Sequence, residues 1–218
     1  MAELVTIENA IEILGEKKVI TAEQSAKAWE LQVPADMMIR YSERTLRKCA
    51  EQNSSGKADW RLIYINGFSL WRQSEIHGFN ANEQPCFYIF DPSYDCPWLR
   101  PYELFWTGKE HEAGYYLINM MPQFNDMTWE DQEQAISDLG QEYSRCQEAI
   151  FGEALLTIFL VNDHERIAED WYHWGPTASG GQYNYIGGFD MSGLRIYRSW
   201  GNTTCADWFA VVLLMFDF

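Results

Sequence analysis

From Gln182 onward the chain alternates short apolar segments with glycine-containing turns, and this pattern constrains the fold more than any other feature of the sequence. Connections this short join antiparallel strands, because a parallel crossover needs a dozen or more residues. We therefore expect antiparallel pairing here. The predicted strands are 183–186, 194–198 and 208–215, and the turns are Gly187-Gly188, Ser192-Gly193 and Gly201-Asn202.

Earlier in the chain, three segments read as strands and one long segment reads as a helix. The strand candidates are 60–65, 86–90 and 115–119. From Thr128 onward, apolar residues recur at intervals of three, four or seven, which predicts one long helix over 129–161. Gly140 and Gly152 weaken this helix, and a break would fall at either.

The first 56 residues are predicted to form a small helical unit. Thr6 and Thr21 are expected to cap two helices, and Ser42 a third over residues 43–51. Asn53-Ser54-Ser55-Gly56 has the composition of a flexible linker. The predicted fold is therefore α+β: an N-terminal helical unit (1–56), then a domain (57–218) whose mainly antiparallel sheet packs on one long helix.

The spacing of the N-terminal helices also fits a helix-turn-helix, in which residues 43–51 would present Arg44, Arg47 and Lys48. Charge argues against this interpretation. Residues 1–56 carry seven basic and nine acidic side chains, and the whole chain has a net charge of −16. Phosphates are repelled by such a balance. A helical cap on the larger domain is the preferred interpretation, with nucleic-acid binding through residues 43–51 as the alternative.

The sequence predicts a cytoplasmic protein with no membrane partner. The N-terminus lacks the charge and apolar pattern of a secretory signal, and no apolar run reaches the length of a membrane span. Five scattered cysteines without a CxxC motif indicate free thiols. The residues Asp163-His164-Glu165 and His173 offer metal-binding atoms but no spacing that fixes them together. No metal and no cofactor are predicted.

The segment from Asp170 to Trp200 is the candidate functional site, because it concentrates aromatic residues around polar ones. The candidate ligand-binding residues are Asp170, Trp171, Tyr172, His173, Trp174 and Asp190. They would line an aromatic cleft, with the function carried by turn and loop residues 170–181. Alternatively, the aromatics alternate with polar residues along strands and close the core. This second interpretation explains most of the pattern and is preferred.

These features favour a non-enzymatic module that binds a protein or a small ligand. The usual catalytic signatures, namely GxSxG, the P-loop, GxGxxG and HExxH, are absent from the sequence. Two alternatives stay open: a DNA-associated protein that uses residues 43–51, and a hydrolase-type enzyme that uses His173 with Asp170 or Asp190.

Overall fold

The computed structural model describes residues 5–35, 38–89, 104–179, 181–202 and 209–216. The helices are α1 (Ile7–Leu14), α2 (Ala22–Ala28), α3 (Glu43–Ser54), α4 (Leu70–His77), α5 (Leu104–Thr107), α6 (Trp129–Leu139) and α7 (Glu148–Val161). The strands are β1 (Val19–Ile20), β2 (Trp60–Ile65), β3 (Gly114–Gln123), β4 (Tyr143–Arg145), β5 (Tyr172–Ser179), β6 (Gln182–Asp190), β7 (Gly193–Trp200) and β8 (Phe209–Met215).

The strands form a mixed sheet in the order β1-β2-β3-β8-β5-β6-β7, with β4 also on β8. β1 is parallel to β2 and β5 is parallel to β8, whereas the other described pairs are antiparallel. β3 pairs with one edge of β8, and two strands share the other edge. There β5 pairs with Phe209 and Ala210, and β4 pairs with the last three residues of β8. A junction between two partner strands therefore lies in the middle of β8.

Side chains of β2 alternate between two hydrophobic clusters, one on each face of the sheet. Leu62 and Tyr64 belong to the cluster that α1 and α3 cover. Ile63 and Ile65 belong to the cluster on the opposite face, which is built around α7. This half of the sheet is consequently buried on both faces, and all six residues of β2 are buried.

α7 is the central helix of the molecule. Residues 148–159 are all buried, including the polar Glu148, Glu153 and Thr157. A helix that is apolar around its whole circumference packs on every side, and here α2, α4, β2, β5 and β6 all contact it. The α+β class and the mainly antiparallel sheet are thus confirmed, with α7 as the helix on which the sheet packs.

The helix predicted over 129–161 is in fact two helices with a strand between them. α6 ends at Gly140, whose φ of 123° is a conformation that glycine adopts easily. The chain then extends as β4 and pairs with β8 before α7 begins. The apolar spacing ran through this break by coincidence, because Tyr143 belongs to β4 and Leu139 is 43% exposed. Gly152, the other expected break, lies inside α7.

The three N-terminal caps form as predicted: Thr6, Thr21 and Ser42 each accept a hydrogen bond from a backbone N–H in the first turn of a helix. The predicted linker at 53–56 is different. Its first two residues end α3 and Ser55 is the C-cap, and the side chain of Asn53 exchanges two hydrogen bonds with the backbone of Trp60, at 2.6 and 2.9 Å. The connection to β2 is therefore fixed by specific contacts. A division into domains at residue 56 stays a prediction.

Two other local predictions need correction. Residues 86–89 do not form a regular strand, although Phe87 makes isolated bridges to Phe79 and Leu194; Phe90 lies outside the described residues. Residues 172–179, expected as turn and loop, form β5. α2 packs on α7 and α3 packs on α1; the helix-turn-helix interpretation of residues 43–51 stays a prediction. Across the described ranges, we find no helix with the length and apolar character of a membrane span.

Candidate functional site

β5 distributes the predicted site residues over the two faces of the sheet. Trp171 and His173 point towards α7, and the ring of Phe151 contacts both, with centroid distances of 5.8 and 5.2 Å. Tyr172 points to the other face, where it contacts Tyr185 at 5.2 Å. Period-two alternation along a strand produces this separation. These aromatic residues therefore do not line one cleft.

His173 is completely buried at the junction in β8. Its Nδ1 accepts a hydrogen bond from the Val212 N–H at 3.0 Å, so Nε2 carries the proton and donates to the Cys146 carbonyl at 2.7 Å. The ring thereby provides hydrogen-bond partners for two backbone groups in the gap along β8 between the residues that pair with β5 and those that pair with β4. Burial lowers the pKa of His173 to about 3, so the ring is neutral at ordinary pH.

The remaining predicted residues lie apart from that ring or are already engaged. Trp174 is completely buried, and its carbonyl accepts a hydrogen bond from Arg145. Asp190 forms an ion pair with Arg195 at 2.9 Å and accepts from the Ser192 N–H. Asp170 is exposed. Nothing in these positions gives His173 access to a substrate.

The residues that offered metal-binding atoms in the sequence are engaged in other contacts. Glu165 is paired with Arg61 at 2.7 Å, and His164 stacks on Phe159 at 4.7 Å. Within the described ranges, no three His, Cys, Asp or Glu side chains are grouped so that they could hold a metal ion.

A concave, aromatic cavity lies at the other end of the sheet, where β2 and β8 end and β3 begins. We call it the tyrosine groove. Its volume is about 550 Å³. It is lined by Pro34, Met38, Arg40, Tyr41, Tyr64, Glu112, Ala113, Gly114, Tyr115, Tyr116 and Phe216.

The tyrosines of the groove are held rigidly by the surrounding backbone. The hydroxyl of Tyr115 accepts a hydrogen bond from the Ala22 N–H at 3.1 Å, which is one of the donors that the start of α2 leaves without a helical partner. The hydroxyl of Tyr41 accepts from the Leu117 N–H at 3.0 Å. The rings of Tyr64 and Tyr115 pack edge to face, 5.2 Å apart. The groove is therefore formed before any ligand arrives.

The rim of the groove is charged and exposed. Arg40 forms an ion pair with Glu112 at 2.7 Å, and both side chains are about two-thirds in solvent. A second, more open cavity of about 1110 Å³ adjoins the groove, and Arg40 and Phe216 line both. Its walls include Arg44, Arg47 and Lys48 of α3. The groove thus combines aromatic and apolar walls with an exposed cation and an exposed anion at its mouth.

A smaller, more polar cavity of about 290 Å³ lies at the start of α7, between His111 and Thr177. Glu148, almost completely buried, lines it and accepts hydrogen bonds from the N–H and the hydroxyl of Thr177, both at 3.0 Å. Burial raises the pKa of Glu148 and lowers that of His111 to about 4. Because both carboxylate oxygens are bound to Thr177, we assign Glu148 a structural role that joins α7 to β5.

Sequence reasoning missed the tyrosine groove because its residues come from distant parts of the chain. Tyr64 and Tyr115 lie in segments predicted correctly as strands, and both are aromatic residues with a polar group. Their alternation placed them on a sheet face but gave no register between the two strands. The pairing of Tyr64 with Tyr115 in the sheet brings them together.

No protein-family model, no curated protein and no solved structure matches this chain. The functional conclusion therefore rests on the geometry of the chain itself.

Proposed function

We propose that this protein is a non-enzymatic binding module that takes a small, flat molecule in the tyrosine groove. The observation that carries the proposal is a preformed cavity of about 550 Å³ whose walls are mainly aromatic and apolar. Ligand sites in proteins are typically cavities of this size, with a few fixed polar groups among hydrophobic walls. Tyr41 and Tyr115 supply aromatic rings that are fixed by buried hydrogen bonds, and Arg40 and Glu112 supply charged groups.

The location of the site differs from the first expectation, but the class of function is the same. The aromatic side chains of β5 lie on both faces of the sheet, whereas those of the tyrosine groove line one cavity. A cytoplasmic location belongs to the proposal as well. It is supported by Cys49, Cys86 and Cys146, which are free thiols.

The test is a binding experiment with a variant that fills the groove. Ala113 is exposed and lines the groove, so Ala113→Phe adds a ring inside it without disturbing the core. Neutral flat fragments such as indole-3-acetamide, nicotinamide and 4-hydroxybenzamide serve as probes in NMR titrations. We expect Ala113→Phe to weaken binding by about tenfold or more, the cost of roughly 1.4 kcal/mol of lost contact.

Ala178→Phe is the matched control, because Ala178 is an exposed alanine of β5 outside the groove. This variant should bind the fragments as the parent protein does. Equal weakening by both substitutions, or fragment-induced shifts centred on Tyr172, Tyr185 and Tyr197, would refute the proposal.

A further inference from the structure

Arg40 is presented by a stretch of backbone that is fixed on both sides. Ile39 is 2% exposed, and Tyr41 is 8% exposed with its hydroxyl bound to β3. Between these two anchors the side chain of Arg40 projects into solvent at the mouth of the tyrosine groove. The cation is therefore positioned by the fold, while its guanidinium group is accessible to a ligand.

The carboxylate that pairs with Arg40 is easily displaced. Glu112 is as exposed as Arg40, and exposed ion pairs of this kind contribute only about 0–1 kcal/mol in water. A ligand anion that is attached to a ring in the groove is held beside Arg40, and it can offer the guanidinium group a bidentate geometry. Such an anion competes with Glu112 at little cost.

Tyr116 places these charges beside the aromatic wall. Its hydroxyl donates a hydrogen bond to the Glu112 carbonyl at 2.8 Å. Burial raises the pKa of Tyr116 to about 12; the charge of Glu112 acts in the same direction and that of Arg40 in the opposite one. Both charges therefore lie close to the ring of Tyr116, and an anion bound to Arg40 lies beside the aromatic wall of the groove.

The adjoining cavity adds no net charge beside Arg40. Arg44, Arg47 and Lys48 line it together with Glu43, Glu51 and Glu142, and Arg47 is paired with Glu43 at 2.6 Å and Lys48 with Glu142 at 3.3 Å. The net charge of −16 gives the protein as a whole no attraction for anions. Any preference for an anion must therefore arise locally, at Arg40.

We infer that the tyrosine groove selects flat molecules that carry a carboxylate or phosphate group, and that this group binds Arg40 in place of Glu112. The inference rests on the proposed function and gives the chemical class of its ligand. The flat part of the ligand lies against the tyrosines, and its anionic group lies at the boundary between the groove and the adjoining cavity. Raising the salt concentration weakens this preference, because the contact is partly exposed.

The experiment compares fragments that differ only in charge. Indole-3-acetate, nicotinate and 4-hydroxybenzoate are each titrated against the corresponding amide at low salt. In the parent protein we expect the carboxylate of at least one pair to bind about fivefold more tightly or better, as charge-assisted hydrogen bonds do. Arg40→Gln should reduce carboxylate affinity to that of the amide. Glu112→Gln, which removes the competing carboxylate, should increase it.

Arg72→Gln is the control, because Arg72 forms a comparable exposed ion pair with Glu75 on α4, away from the groove. It should leave the preference for the carboxylate unchanged. If amide and carboxylate bind the parent protein equally, the inference is overturned and the proposed function stands. If neither member of any pair binds, the proposed function and the inference both fail.

Discussion

At the scale of single residues, His173 is a candidate catalytic residue in the sequence that has a structural role in the fold. Sequence reasoning identified it as unusual, since a histidine among aromatics suits both catalysis and burial. The sequence could not show why His173 is buried. The cause lies in β8, some 40 residues away in the chain, where pairing with β5 gives way to pairing with β4. The bonds to Val212 and Cys146 follow from that junction.

We expect His173→Gln to destabilise the protein by about 2–4 kcal/mol, because two buried backbone groups lose well-placed partners and a ring is removed from the core. Urea unfolding measures the change. Glu83→Gln is the control, since Glu83 is exposed, and its effect should stay within about 0.5 kcal/mol. A His173→Gln protein as stable as the parent would mean that the ring has no structural role.

At the scale of helices and strands, the sequence predicted those helices that begin with a capping residue. Thr6, Thr21 and Ser42 marked three helix starts because hydroxyl caps are local interactions. β5 was missed for the opposite reason: Gly175 and Pro176 argue against a strand. The pairing of β5 with β6 indeed shifts register between Trp174 and Ala178, so the strand accommodates both residues at an irregularity.

Gly175 also explains how β5 approaches α7. A Cβ atom at this position would overlap the carboxylate of Glu148. We expect Gly175→Ala to cost about 1–3 kcal/mol, the typical range of overpacking in a well-packed core. The cost should be much smaller when Glu148 is also replaced by alanine, which a double-mutant cycle measures. Additive effects of the two substitutions would show that the carboxylate is not the obstacle.

At the scale of the whole molecule, neither the tyrosine groove nor the sheet order could be obtained from the sequence. Tyr41, Tyr64, Tyr115 and Phe216 become neighbours only through the arrangement of β2, β3 and β8. The sequence predicted these strands, but strand order depends on contacts between distant segments. The two-faced burial of the sheet likewise depends on where the N-terminal helices pack.

The stability of the whole molecule should fall in mild acid. Burial lowers the pKa of His173 to about 3, and that of His77 and His111 to about 4. In the unfolded chain these groups take up protons near pH 6.5. Their stabilising effect is therefore complete above pH 6.5 and is lost as the pH falls towards 3 or 4. Glu153, whose pKa burial raises to about 7, has the opposite effect between pH 4.5 and 7.

His173→Gln isolates the contribution of one group to this pH dependence. The difference in unfolding free energy between the parent and the variant should shrink below pH 6.5, by up to about 1.4 kcal/mol per pH unit. Urea titrations at pH 7, 6 and 5 measure it. Parallel curves for the two proteins would show that the pKa of His173 is the same in the folded and unfolded chains.

The most direct test of the central claim is a crystal structure of the protein soaked with the flat carboxylates indole-3-acetate and nicotinate. We expect ring density against Tyr115, Tyr116 and Phe216, with the carboxylate within hydrogen-bonding distance of Arg40. Density only on the face formed by Tyr172, Tyr185 and Tyr197, with the tyrosine groove empty at saturating fragment, would contradict it.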